Sequence, residues 1–120
     1  MFDHIGLHVR DLARSIAFYQ AALAPLGFEL GSRDDTSAGF GPPKAPALWL
    51  YAGETRSTTH VAFRAADRAS VDRFYQRGLA AGGRDNGKAG LRTDYAPTYY
   101  AAFLIDPDGN NVEAVCMEAT

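Results

Sequence analysis

The sequence predicts an α+β fold made of two copies of one strand-and-helix unit, and three observations carry that prediction. The stretch HIGLHVRDLARSIAFYQ, which begins at His4, returns as HVAFRAADRASVDRFYQ, which begins at His60. Residues 4 and 60 are 56 apart, and the same offset carries Asp11 onto Asp67, Phe18 onto Phe74, Tyr19 onto Tyr75, Gln20 onto Gln76 and Gly27 onto Gly83 without a gap. In each copy period-two alternation gives way to helical spacing, and short apolar runs set between turn residues follow. At 120 residues the chain is one domain, read as a first unit over 1–53, a polar connector over 54–58 and a second unit over 59–120.

In the first unit, residues 2–9 form a predicted strand with Ile5, Leu7 and Val9 on one face and His4, Gly6 and His8 on the other. Asp11 is placed to cap a helix in which Leu12, Ile16, Tyr19 and Leu23 recur at helical spacing, and Pro25 with Gly27 closes it. Further strands are expected over 28–33, around 38–41 and over 47–52, where ALWLYA is almost continuously apolar. The second unit repeats the plan: a strand over 59–65 and a helix capped by Asp67, with Val71, Phe74, Tyr75, Gly78 and Leu79 along one stripe. Residues 84–86 are expected to begin a short strand, with GKAGLRTDYAP after them a loop of the kind that closes over ligands. A hairpin ends the chain, with strands over 98–105 and 110–117 joined by the type I turn sequence Asp106-Pro107-Asp108-Gly109.

Composition narrows the function. A net charge of −2 supplies no basic field for nucleic acid or an anionic membrane surface, so the expected partner is a small molecule. No apolar run is long enough to span a bilayer. The single cysteine, Cys116, cannot form an internal disulfide, and no charged-then-apolar leader precedes the first strand, so a cytoplasmic setting is expected.

Three residues from separate strands stand out as metal ligands. His4 and His60 are repeat-equivalent, and Glu113 lies mid-strand among apolar neighbours, where a carboxylate needs a cation or donors. Two imidazoles and one carboxylate make a facial triad suited to divalent manganese, iron, zinc, nickel or cobalt, with positions open for substrate. The plainer alternative is a pair of hydrogen-bonded sheet histidines and a carboxylate that faces solvent or pairs with Arg64. His8 stands about 13 Å from His4 along the strand, at roughly 3.3 Å per residue, so the two cannot share an ion. It is a candidate for contacting substrate and moving a proton. Arg64, Arg92, Tyr95 and Tyr99 suit an anionic or aromatic ligand, whereas Tyr100 is expected to serve strand packing and Cys116 to be a buried hydrophobe.

DHIGLHVRDLARSIAFYQAALAPLGF together with YYAAFLIDPDGNNVEAV resembles the vicinal oxygen chelate superfamily, which includes glyoxalase I, extradiol dioxygenases, fosfomycin-resistance thiol transferases and bleomycin-resistance proteins. The resemblance implies paired βαβββ modules whose curved mixed sheets form a cup around a divalent metal held by His4, His60 and Glu113. It places Trp49, which cannot ligate, where glyoxalase I carries a fourth ligand, and so makes Trp49 a substrate contact. It also implies a homodimer, with each cup formed within one chain or by modules exchanged between chains. The implied function is a small metal-dependent enzyme acting on an oxygen-chelating substrate as a glyoxalase-like lyase or isomerase, a thiol transferase or a dioxygenase. A metal-free protein that sequesters a small molecule is the alternative.

Overall fold

The computed structural model describes residues 1–119. Its elements run β1 (Ile5–Val9), α1 (Leu12–Leu23), a 3-10 turn (Ala24–Leu26), β2 (Glu29–Arg33), β3 (Ser37–Gly41), β4 (Leu48–Ala52), β5 (His60–Arg64), α2 (Arg68–Ala80), β6 (Arg84–Leu91), β7 (Tyr100–Ile105) and β8 (Asn111–Cys116). Two four-stranded mixed sheets result, in the orders β1-β4-β3-β2 and β5-β8-β7-β6. In each, the first strand runs parallel to the last and the remaining pairs are antiparallel. The duplicated sequence therefore folds as duplicated βαβββ topology.

The caps explain where the helices begin. The carboxylate of Asp11 accepts from the amide of Arg14 at 3.0 Å, and Asp67 accepts from the amide of Ser70 at 2.7 Å, so each aspartate satisfies a donor that the first turn leaves unpaired. Leu7, Val9, Ala38, Phe40, Leu48 and Leu50 point from the first sheet into the core, as Val61, Ala102, Leu104, Val112, Ala114 and Cys116 do from the second. Burial of these faces, at about 25 cal/mol per Å² of apolar surface, is the main force holding helix to sheet. The two helices also meet each other: a Cβ at Gly78 of α2 would lie 3.4 Å from Phe18 and 3.5 Å from Ala22 of α1, and 2.3 Å from Leu104 of β7. Only glycine lets α1, α2 and β7 approach that closely. Among the described residues no helix is long and apolar enough to cross a membrane.

One expectation is corrected. The strand begun at Arg84 does not stop at residue 86 but continues as β6 to Leu91, antiparallel to β7, with register shifts on both sides of Gly87. Glycines and charged residues give this segment no side-chain alternation, so backbone pairing with β7 alone defines it. The loop proper is residues 92–99, curled on itself by hydrogen bonds from Arg92 N to Tyr99 O, Tyr95 N to Arg92 O and Tyr99 N to Ala96 O. That curl also delays β7 to Tyr100 rather than residue 98.

Candidate functional site

Strand alternation sets the outer face of each sheet against its core face. In the second sheet the register aligns Ala62 with Glu113 and Glu113 with Phe103, and places Asn111 beside His60, so these residues share one face. There the Nε2 of His60 lies 3.0 Å from Oε1 of Glu113; the imidazole is half-exposed and the carboxylate only 3% exposed. Nδ1 of His60 lies 3.1 Å from the carbonyl oxygen of Asn111. A carbonyl can only accept, so Nδ1 carries the proton and Nε2 turns its lone pair toward a carboxylate oxygen. Two acceptors at 3.0 Å require something positive between them: a shared proton, or a metal ion.

The second carboxylate oxygen, Oε2, accepts a hydrogen bond from the phenol of Tyr99, and Tyr95 meets the Tyr99 ring edge-on at 5.1 Å. Glu113 is thus held on both sides, not by Arg64, which stands exposed at the far end of β5. Desolvation, followed by the bond to Glu113, pushes the Tyr99 phenol up to about 12. It remains a donor throughout the neutral range. Because its folded pKa exceeds the usual value of about 10, the stabilisation it contributes is complete below pH ~10 and is lost as pH rises toward 12. In a phenolate absorbance titration, Tyr99→Phe should remove a component with a midpoint near 12. If the missing component instead titrates near 10, the Tyr99–Glu113 bond is not formed in solution.

The first sheet carries the other predicted residues. His4 is exposed, with Nδ1 2.6 Å from its neighbour Asp3, and it lies at an apolar cleft of about 210 Å³ lined by Phe2, Ile5, Phe28, Phe40 and Phe63. The chain alone does not bring it to His60 and Glu113: among the described residues no group of three metal-ligating side chains forms. His8 is exposed, its ring 6.2 Å from that of Tyr51 and its backbone amide bonded to Ser57 Oγ. Trp49 is half-buried on the same face, in register with Gly6 and Gly39, and a Cβ at Gly39 would come within 2.9 Å of its indole. Arg92 lies at a separate cleft next to His60 with Tyr95, Phe103, Asn86 and Asn111. Phe103, Asn86 and Asn111 are not among the residues that the sequence singles out. Asn111 and Phe103 were recoverable from alternation, since each shares the face of Glu113. Tyr100, as expected, packs: its hydroxyl donates to Asp72 and Arg68 lies over its ring.

The chain matches the model of the Glyoxalase/Bleomycin resistance protein/Dioxygenase superfamily over residues 1–114. It belongs to that superfamily. A glyoxalase/bleomycin resistance protein from Albidiferax ferrireducens T118 is 29% identical, with a TM-score of 0.85 over 97% of this chain and 98% of that one. A putative glyoxalase from Bacillus halodurans is 27% identical, with a TM-score of 0.72 over 97% and 95% of the two chains. A lactoylglutathione lyase from Agrobacterium tumefaciens, 22% identical over 97% and 92% with a TM-score of 0.67, shares the fold. The comparison with curated proteins finds no match. Superfamily membership accounts for the paired βαβββ modules, in the second of which the first strand and the last bring the side chains of His60 and Glu113 together.

Proposed function

We propose that the chain is a metal-dependent enzyme of this superfamily acting on a small oxygen-chelating substrate, and that it works as a homodimer with His60 and Glu113 of one copy and His4 of the other holding each divalent ion. The observation that carries this reading is the His60–Glu113 pair itself. A ligating imidazole commonly donates its remote N–H to a backbone carbonyl, and a ligating carboxylate is commonly fixed by a further hydrogen bond. His60 with Asn111, and Glu113 with Tyr99, supply both arrangements. One imidazole nitrogen and one carboxylate oxygen fit manganese, iron, zinc, nickel or cobalt. When bound, such an ion supplies Lewis acidity to stabilise negative charge developing on a substrate oxygen.

The residues around the pair have separate tasks. Tyr99 holds Oε2 so that Oε1 faces His60, and Asn111 sets the tautomer that directs the Nε2 lone pair inward. His8 and Trp49, on the face that carries His4, are assigned to the substrate, His8 as the group that moves a proton. A second copy is supported by the edges: β1 and β5 each pair on one side only, and Met1, Phe2 and Ile5 leave apolar surface exposed around the cleft at His4. The closed His60–Glu113 contact within a chain that lacks the third ligand also favours a second reading, a metal-free protein that sequesters a small molecule.

Complementation separates the two. His4→Ala and Glu113→Ala chains, each devoid of bound metal alone, are expected on unfolding and refolding together to regain about a quarter of the native metal content, because half of the dimers are mixed and each mixed dimer has one intact site. Elemental analysis reads the result. Native protein that holds no stoichiometric metal, with no metal gained in the mixed preparation, supports the sequestering protein.

A further inference from the structure

Beside His60 lies a cleft of about 300 Å³ whose walls, Asn86, Gly87, Arg92, Tyr95, Phe103 and Asn111, offer hydrogen-bond donors and no acid. Arg92 is seated there by the strand that precedes it. Its Nη1 donates to the carbonyl of Gly90 at 3.0 Å and its Nη2 to that of Lys88 at 2.6 Å, and the guanidinium lies 5.4 Å above the ring of Phe103. The two glycines make room for it: a Cβ at Gly87 would fall 3.2 Å from Nη2, and one at Gly90 would fall 3.3 Å from Nη1. Gly87 also has φ +147°, which side-chain-bearing residues rarely adopt.

A guanidinium has five N–H groups, and the two carbonyls use two of them. Among the described residues no carboxylate forms a salt bridge with it. Nearby Asp85 is turned away, accepting from Tyr75 and from the amide of Gly87. Asn86 spends one side-chain N–H on Asn111 Oδ1, which leaves the amide of Asn111 free to donate. The cleft therefore holds a fixed cation and neutral donors with no anion to meet them.

Two of its residues also belong to the His60 site. The backbone oxygen of Asn111 takes Nδ1 of His60, and the His60 ring lies near-parallel to Phe103 at 6.4 Å. We infer that this cleft binds an oxyanion, a carboxylate or phosphoryl group, of a ligand whose other end lies at His60 and Glu113. The second half of that statement rests on the proposed function; the anion binding does not.

The test uses the full-length protein stripped of metal by a chelator, so its outcome is independent of whether an ion binds. Acetate and inorganic phosphate are titrated at constant ionic strength, with acetamide as the uncharged counterpart of acetate. NMR follows the Arg92 Nε–H and the side-chain amides of Asn86 and Asn111. The expected result is saturable shifts of these signals with at least one anion and none with acetamide, and which anion acts tells a carboxylate site from a phosphoryl site. Arg92→Met should weaken the response at least about tenfold, the scale of losing hydrogen bonds to a charged group. Should that variant not fold, the native contrast between anion and acetamide decides alone. Silence with both anions, equal shifts with acetamide, or an unchanged response in folded Arg92→Met overturns the inference.

Discussion

Glu113→Ala is expected to abolish stoichiometric binding of a divalent metal, weakening it by more than about a hundredfold, while the chain still folds. The size of the effect follows from position: the carboxylate is one of the two proposed ligands that the chain itself brings together, and its removal leaves a lone half-exposed imidazole. The neighbouring change gives a graded result. Tyr99→Phe keeps the ligand but frees Oε2, and loss of such a supporting hydrogen bond costs about 10–100-fold in metal affinity. Folding is expected to tolerate Glu113→Ala because the variant also removes a buried carboxylate whose desolvation opposes folding. Since metal ligands must be deprotonated, native affinity should also fall as the solution is acidified. Calorimetric titration of chelator-treated protein with manganese or zinc, checked by elemental analysis, measures all three. Native metal content in Glu113→Ala would remove the carboxylate from the proposed ligand set.

Most of the architecture was legible from one feature, the 56-residue repeat, because a duplication preserves caps, faces and glycine positions together. Asp11 and Asp67 cap as their spacing implies, and His60 and Glu113 meet because strand alternation puts both on one face of paired strands. What the repeat could not convey is which modules face one another. It made His4 and His60 equivalent, yet equivalence under a two-fold relation does not fix whether the relation lies within a chain or between chains, and in one chain His4 stays with Asp3. β6 was illegible for a different reason: the glycines at 87 and 90 that erase its alternation are the ones that admit the Arg92 guanidinium. The turn at 106–110 was read for its shape alone, and its larger role lies in contacts with residues some ninety positions away.

That role makes Asp106→Ala the most destabilising substitution expected outside the core, at about 3–5 kcal/mol. The Asp106 carboxylate is buried and accepts from Tyr19 Oη at 2.5 Å, from the amides of Asp108 and Asn110 at 2.9 and 2.8 Å, and from Asn110 Nδ2 at 2.9 Å. Alanine would leave these donors without an acceptor and without water. The same turn bolts the second module to the first, since Asp108 accepts from the amide of Arg10 and the hydroxyl of Ser15; its carbonyl also takes Arg56 of the connector, and within the second module Asn110 Oδ1 takes the amide of Thr59. Tyr19→Phe removes one donor and should cost about 1–3 kcal/mol, and it should add little on top of Asp106→Ala, because both break the same bond. Burial, reinforced by Asp106 and Asp108, holds the Tyr19 phenol well above its ordinary range. A pKa raised on folding contributes stability that is complete below pH ~10 and declines above it, so the gap between native protein and Tyr19→Phe should narrow in alkali. Urea unfolding of the two single variants and the double variant, at neutral pH and above pH 10, tests each step. A cost for Asp106→Ala below about 1 kcal/mol would mean that water reaches the turn and satisfies the donors that Asp106 now serves.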